Sequence, residues 1–300
     1  MKLVLITSLG LLAVWFMAVV VSSVRRSVEK HKELDSDAGL VPNRLETLIG
    51  FVATFFDTLG IGSFAPTTAW FRNTNLVPDE LIPGTMNVGY ALPTILTAYI
   101  FIDHVDIEPA TLLSMIVASV LGAWHGAGIV ARLPRKRIQI GMGSALIIAG
   151  LLMVASQLNL KSEGAQALGL ELPVLILACL VMAILGALMT IGVGLYAPCM
   201  ILVSLMGMNP LAAFPIMMGA CAFLMPVASV RFVLSGKQLM KVALGMTLGG
   251  LPAVLIAAFL VKSLPLYYLK WLVVVVVLFT AGQMLRSALA PKRTQQHSYK

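Results

Sequence analysis

The stretch Thr58-Leu-Gly-Ile-Gly-Ser-Phe-Ala-Pro66 lies inside an apolar run and returns, 132 positions later, as Thr190-Ile-Gly-Val-Gly-Leu-Tyr-Ala-Pro198. Five of the nine positions are identical, and the same register pairs Pro83 with Pro215. Because glycine and proline largely determine backbone shape, the two copies predict one repeated conformation and therefore an internal duplication. Hydrophobic segments interrupted at corresponding places in two halves are typical of a binding site in a membrane transporter.

The composition of the chain is that of a membrane protein. Hydrophobic residues make up 59% of it and charged residues 11%, against roughly 25% charged in an average soluble domain. Several uncharged runs reach about 20 residues, the length that a helix needs to cross a bilayer. The net charge of +8 then reports orientation in the membrane and does not indicate a nucleic-acid partner. Three cysteines in apolar segments without CxxC spacing predict small buried side chains, with neither a disulfide framework nor a metal site: Cys179, Cys199 and Cys221. No cofactor is expected.

The apolar segments predict an all-α polytopic membrane protein, with one N-terminal transmembrane helix followed by two repeats. Residues 1–24 are expected to form an uncleaved anchor, because most of the nearby basic residues follow the apolar stretch. Residues 25–45 are expected to form a cytoplasmic linker and residues 289–300 a cytoplasmic tail. Repeat 1 is expected at 46–156 and repeat 2 at 172–288, each with a hairpin and three transmembrane helices. The six helices that follow the anchor are predicted at 83–102, 110–131, 138–156, 211–230, 241–261 and 271–288.

Basic residues indicate how the two motif segments, at about 45–72 and 172–206, enter the bilayer. If each returns to its starting side, as a re-entrant or broken-helix hairpin, 17 of the 21 lysines and arginines are cytoplasmic. If each crosses once, the split becomes 13 and 8, and the basic cluster at Arg132–Arg137 has to be translocated, which is rare for a short loop. The returning arrangement is therefore predicted, with the N-terminus outside and the C-terminus in the cytoplasm. An odd number of spans in each half then makes the duplication an inverted repeat, whose two turns meet near the middle of the bilayer.

The glycines of both turns predict an anion site. Gly60, Gly62, Gly192 and Gly194 allow a sharp turn and leave backbone N–H groups uncovered. The short helix after each turn directs unpaired N–H groups and a positive dipole end at the turn, which favours an anion. Polar residues complete the predicted substrate-binding set, namely Thr58, Ser63, Thr67, Asn87 and Thr190. Two alternatives fit the same residues: glycine can allow tight helix packing, and threonine hydroxyls can bond to their own helix.

Asp57, immediately before the first turn, is the candidate for proton coupling. A carboxylate inside a span costs about 2.5–3.5 kcal/mol on insertion scales, so such residues usually line a cavity or a proton path. We expect Asp57 to stay protonated or to exchange its proton during transport, because removal from water favours the neutral form. The alternative is structural, with Asp57 capping the turn by accepting hydrogen bonds from backbone N–H groups.

These residues resemble the TauE/SafE family of sulfite exporters and related transporters of organosulfur anions. The resemblance is carried by the turn at Gly60–Pro66 and its second copy, by Pro83-Gly-Thr, and by Leu121-Gly-Ala followed by Arg132-Leu-Pro. It covers nearly the whole chain after residue 45. It implies two related halves, a place in the bacterial inner membrane, and movement of small sulfur oxyanions such as sulfite, sulfoacetate or thiosulfate. Together with the duplicated turn, it predicts a secondary transporter that exports a small anion by alternating access, with protons as a candidate coupling ion.

Two other transport functions fit the same pattern, a passive anion channel and a carrier of small carboxylates. Saturable flux that responds to a proton gradient would distinguish a carrier from a channel. An enzyme is not expected, since a nucleophilic serine such as Ser63 needs a base within hydrogen-bond reach. The in-span histidine, His125, is expected to lie off the midplane. The chain has no GxxxxGK[ST] loop for ATP, so transport must draw on a gradient or on a separate subunit.

Overall fold

The computed structural model describes a chain of helices. It covers residues 2–33, 41–78, 81–130, 167–189, 195–263 and 266–289, with single positions or pairs at 136, 140, 143–144, 147–148, 150–151 and 154. The helices are α1 (Lys2–Glu33), α2 (Arg44–Thr58), α3 (Phe64–Thr74), α4 (Ile82–His104), α5 (Pro109–Val130), α6 (Leu172–Met189), α7 (Tyr196–Leu205), a 3-10 turn (Pro210–Ala212), α8 (Ala213–Leu234), α9 (Met240–Ser263) and α10 (Leu266–Leu289). One isolated parallel bridge joins Ala167 to Met208. The described part is therefore all-helical, as the apolar segments predicted.

Five helices among the described residues are long and apolar enough to cross a membrane. They are Leu3–Arg25, Ile82–His104, Leu172–Met189, Pro210–Leu234 and Met240–Val261. The prediction of a multi-pass membrane protein is therefore confirmed. Helices α5 and α10 also coincide with predicted spans, whereas the span predicted at 138–156 is described only at single positions.

Helix α1 is longer than the anchor that its apolar residues predict. It continues to Glu33, so the first nine residues of the segment expected to form a linker are helical. Its buried side chains recur at helical spacing, at Leu5, Leu9, Phe16 and Val20. This face of α1 packs against α4 and α8.

The helix boundaries repeat at nearly the spacing of the two turns. Helix α3 begins at Phe64 and α7 at Tyr196, 132 positions apart. The starts of α4 and α8 and the starts of α5 and α9 are each 131 positions apart. The spacing of the nine-residue turn therefore recurs in the starts of three successive helices of each half.

The two halves exchange partners. Helix α2 of the first half packs most extensively against α9 of the second half, and α6 of the second half packs most extensively against α5 of the first. Helices α4 and α8, which correspond in the duplication, pack against each other. Neither half buries its first helix within itself, so the two halves form one unit around the α4–α8 pair.

Glycines bring the exchanged helices into backbone contact. A Cβ atom on Gly50 of α2 would collide with the backbone of Met246 in α9, and one on Gly249 of α9 would collide with the backbone of α2. In the α5–α6 pair, a Cβ on Gly186 would collide with the backbone of Ser119. Small residues allow membrane helices to approach closely, so the packing role of glycine applies to these helix positions.

Pro93, inside α4, frees a backbone carbonyl that α9 satisfies. Proline has no N–H, so the carbonyl of Gly89, four residues earlier, has no helical partner. The Thr247 hydroxyl of α9 donates to that carbonyl at 2.8 Å and lies 3.1 Å from the carbonyl of Ala243 in its own helix. This hydrogen bond adds a polar link between the two halves.

We expect a Thr247→Val variant to lose about 1–3 kcal/mol of stability, because the buried Gly89 carbonyl is left without a donor. Thermal unfolding in detergent, followed by tryptophan fluorescence, measures the change. Thr7→Val is the matched control, since the exposed Thr7 hydroxyl bonds only to Val4 of its own helix. Equal unfolding temperatures for the two variants would contradict the contact with Gly89.

Candidate functional site

The first glycine turn ends α2 with a Schellman motif. The N–H of Gly60 donates to the carbonyl of Asp57 at 2.8 Å, and the N–H of Ile61 donates to the carbonyl of Phe56 at 3.0 Å. Gly60 has a φ of +94° and Gly62 a φ of +87°, in the left-handed region that glycine adopts without strain. Both glycines of the first copy therefore form the sharp turn that the sequence predicts.

The buried Asp57 side chain connects this turn to the second half of the molecule. Its Oδ1 atom accepts a hydrogen bond from the N–H of Ser63 at 2.7 Å, and its Oδ2 atom accepts one from the Tyr196 hydroxyl at 3.1 Å. Ser63 is the N-cap residue of α3, and Tyr196 is the first residue of α7. Asp57 is thus a cap of the turn, and it makes a contact with α7 that the sequence does not indicate.

Backbone N–H groups at the start of α3 are available to a ligand. The first bond within the helix runs from the N–H of Thr67 to the carbonyl of Ser63 at 3.1 Å. Within the described residues, the N–H groups of Gly62 and Phe64 have no hydrogen-bond partner. Helix α3 is 11 residues long, and its first turn carries partial positive charge. Such an end can hold a negatively charged group through the backbone alone.

Thr67 contacts Tyr90, a residue outside the predicted substrate-binding set. The Thr67 Oγ1 atom lies 2.5 Å from the Tyr90 hydroxyl, and both residues are buried. The ring of Phe64 packs against the ring of Tyr90, with centroids 6.2 Å apart. The signal that could have indicated Tyr90 is a phenol inside an apolar span, since a buried tyrosine hydroxyl usually has a hydrogen-bond partner.

Two other predicted residues of the first half bond within their own helices. The Thr58 hydroxyl donates to the carbonyl of Thr54 at 2.9 Å, and Nδ2 of Asn87 donates to the carbonyl of Pro83 at 2.8 Å. Thr58 is fully buried, whereas Asn87 is half-buried. The remaining predicted residues lie outside the described part of the chain: Thr190, Gly192 and Gly194.

The second half contacts the first turn through α7 and α8. A Cβ atom on Gly60 would meet the side chains of Met200 in α7 and Met217 in α8, and both methionines are buried. Cys221 of α8 lies close by, with its Sγ atom 3.5 Å from Sδ of Met189. Apart from the Tyr196 hydroxyl, the described residues of the second half that contact the first turn thus present apolar and sulfur-containing groups.

The described residues form no metal site at the turn, and a large open pocket lies elsewhere. Within the described residues there is no group of three histidine, cysteine, aspartate or glutamate side chains that could hold a metal ion. A pocket of about 590 Å³ lies between the α4–α5 connection and residues 168–171, where Asp106, Glu108 and Glu171 line it. Carboxylates repel an anion, so the turn and not this pocket has the chemistry of an anion site.

A family model described as Sulfite exporter TauE/SafE matches residues 1–153, slightly more than half of the 300 residues. The match includes α1, the first turn and the helices of the first half, and it ends before the second turn. The resemblance indicated by the turn is confirmed, over a shorter part of the chain than expected. The comparisons with curated proteins and with solved structures returned no match.

Proposed function

Because this chain belongs to the TauE/SafE sulfite exporter family, a family of membrane transporters, we propose that it is a secondary transporter that exports a small anion. The substrate class is a sulfur oxyanion or an organosulfonate, such as sulfite, sulfoacetate or thiosulfate. The observation that carries the proposal is the first turn, where unpartnered N–H groups and a buried carboxylate meet a tyrosine of the other half. The protein acts in the bacterial inner membrane, with its N-terminus outside and its C-terminus in the cytoplasm.

The duplication is proposed to be inverted, with each motif forming a hairpin that returns to its starting side. The lengths of the first hairpin support this arrangement. Helices α2 and α3 have 15 and 11 residues and so extend about 22 and 16 Å, short of the roughly 30 Å hydrocarbon core. Three crossings then follow in each half, and an odd number turns the second half over. The exchange of α2 with α9 and of α6 with α5 is the packing expected of two halves related by a two-fold axis.

The substrate is proposed to bind between the two turns. Backbone N–H groups at the start of α3 would hold the oxyanion, and nearby hydroxyls would complete its hydrogen bonds. Thr58 and Asn87 would join by exchanging their bonds within the helix for bonds to the substrate. The proposed binding residues are those of the sequence prediction: Thr58, Gly60, Gly62, Ser63, Thr67, Asn87, Thr190, Gly192 and Gly194.

Alternating access requires the two halves to change their contact at the site. The hydrogen bond between Asp57 and Tyr196 joins the halves there, and Asp57 is proposed to exchange a proton during the transport cycle. A buried carboxylate within a span is suited to that role, because its charge is unfavourable in a low-dielectric setting.

A thermal-shift screen of the purified protein tests the substrate class. We expect sulfite, thiosulfate or a small sulfonate to raise the unfolding temperature, because a ligand at a hundred times its Kd stabilises by about 2.7 kcal/mol. Sulfate, small carboxylates and monovalent cations serve as comparison ligands. Stabilisation by carboxylates alone, or by cations alone, would overturn the sulfur-anion assignment.

Flux into proteoliposomes distinguishes the carrier from a passive anion channel. Carrier-mediated flux of the stabilising anion is expected to saturate with concentration and to respond to a proton gradient. Flux that rises linearly with concentration and ignores the proton gradient would favour the channel.

A further inference from the structure

We propose that the Tyr196 hydroxyl is a substrate-binding group that Asp57 occupies in the present conformation, so that binding of the anion requires Asp57 to take up a proton. This inference rests on the proposed anion-transport function. It adds Tyr196 to the site, and it makes Asp57 a competitor of the substrate within the same molecule.

The contacts of Asp57 carry this inference. Its two carboxylate oxygens accept from a backbone N–H at the start of α3 and from the phenol of Tyr196, at 2.7 and 3.1 Å. A backbone N–H and a phenol are also the donors that an oxyanion uses. Asp57 therefore fills, from within the chain, part of the hydrogen-bonding site that we assign to the substrate.

Because Asp57 and Tyr196 are both buried, a charged Asp57 and a bound anion exclude each other from the site. Asp57 and Tyr196 are each 7% exposed, so bulk water does not compensate a donor or acceptor that loses its partner. Two negative groups in such a place repel each other strongly, because little solvent screens them. The site therefore accommodates either the charged carboxylate or the anion together with a neutral carboxyl group.

Among the described residues, no cation neutralises the charge of Asp57. The titratable side chains in this part of the chain that interact with it are Tyr90 of α4, Tyr196 of α7 and Cys221 of α8, and none of these is a cation. Protonation of the carboxylate is therefore the means of removing that charge.

Helices α9 and α3 also pack against α2. Their cationic residues are separated by several residues from the parts of these helices that lie beside α2. Helix α9 carries Lys241 and Lys262 near its two ends. Its middle contacts α2, where Gly250 packs against Thr54. Arg72, the charged residue of α3, lies more than two turns beyond its start.

The chemistry of the step is one proton for one anion. The carboxylate takes up a proton and becomes a neutral carboxyl group, whose oxygens are weaker acceptors for the Tyr196 hydroxyl than those of the charged group. The phenol keeps its own proton and turns its hydrogen bond to the anion. When the anion leaves, Asp57 releases its proton and recovers Tyr196, so a monovalent anion and a proton move together without net charge.

Isothermal titration calorimetry on the full chain in detergent tests this coupling. The probes are thiosulfate and ethanesulfonate, whose own charges are constant from weakly acidic to weakly basic solution. Titrations in two buffers of different ionisation enthalpy give the number of protons taken up. We expect uptake approaching one proton per anion where Asp57 is charged in the free protein, with the affinity falling about tenfold per pH unit as the pH rises through that range.

Two variants test whether Asp57 takes up the proton and whether Tyr196 binds the anion. Asp57→Asn keeps a side-chain oxygen that can cap Ser63, and we expect anion binding without proton uptake and without pH dependence. Tyr196→Phe keeps Asp57, and we expect an affinity about ten- to a hundredfold weaker at acidic pH with proton uptake retained. Tyr268→Phe, at an exposed position, is the matched control and should bind as the wild type does.

The outcomes separate the two proposals. If the wild type binds neither probe at any pH, the proposed transport function for this anion class fails, and this inference fails with it. If the wild type binds a probe without proton uptake, or if Asp57→Asn retains the uptake, only the coupling through Asp57 is wrong. An unchanged affinity in Tyr196→Phe would remove Tyr196 from the site.

Discussion

Anion transport is expected to fall by about a hundredfold or more when Gly60 is replaced by alanine, since a displacement of about 1 Å in a binding group can have an effect of that size. The φ of +94° at Gly60 is strained for any residue with a Cβ, by about 1–2 kcal/mol. The added methyl group would also overlap the methyl group of Met200 in α7. The Met200 side chain is flexible and can move its methyl group away, but the backbone strain is relieved only by a shift of the turn. The turn carries the N–H groups that we assign to the substrate.

The control for Gly60→Ala is Gly207→Ala, which has the same backbone strain without the contact. Gly207 has a φ of +77°, and a Cβ atom there would have nothing within 4 Å. We expect both variants to unfold at somewhat lower temperatures, but only Gly60→Ala to lose flux into proteoliposomes. Equal loss of flux in both would mean that general destabilisation, and not the shape of the turn, limits transport.

The helices and the first turn could be predicted because their signals are local. The apolar runs indicate α4, α5, α8, α9 and α10 to within a few residues, since a helix that crosses a bilayer needs a continuous apolar stretch. The left-handed φ values at Gly60 and Gly62 follow from the glycines themselves. The sequence is compatible with two roles for Asp57, proton coupling and capping of the turn, and the structure shows the capping contact with Ser63.

The contacts that complete the site could not be predicted because they join distant parts of the chain. Tyr196 and Asp57 are 139 positions apart, and their hydrogen bond depends on how α7 packs beside the end of α2. The pairing of Tyr90 with Thr67 depends in the same way on the rotation of α4 relative to α3. Hydrophobic patterns predict that a helix exists, but they do not specify which of its faces meets which partner.

The length of α1 and the packing of the helix glycines show two further limits of local patterns. An apolar criterion detects only the part of α1 that suits a bilayer, although polar residues with good helix propensity carry the helix on to Glu33. The repeated motif predicts a role for the glycines in the turns. Gly50 and Gly249, by contrast, acquire their role only when α2 and α9 are seen in contact.

We expect Gly249→Leu to cost about 1–3 kcal/mol or more, enough to prevent stable folding if the margin is small, because overpacked cores relax only by moving backbone. The new side chain would meet the carbonyl of Thr47 and the N–H of Phe51, which are backbone groups held in α2. Gly282→Leu is the matched control, since a Cβ at Gly282 in α10 has nothing within 4 Å, and leucine favours a helix more than glycine does.

The exchange of helices between the halves makes this prediction sharper. Gly122 of α5 packs against the backbone of Ala183 in α6 as Gly249 of α9 packs against that of α2, so Gly122→Leu should destabilise the protein to a similar extent. Unfolding temperatures in detergent, measured for all three leucine variants, decide the matter. If Gly249→Leu unfolds at the same temperature as Gly282→Leu, the close contact between α2 and α9 does not exist. If only one of the two interface variants is destabilised, the two halves are not joined by equivalent contacts, and the two-fold relation on which alternating access depends loses its structural support.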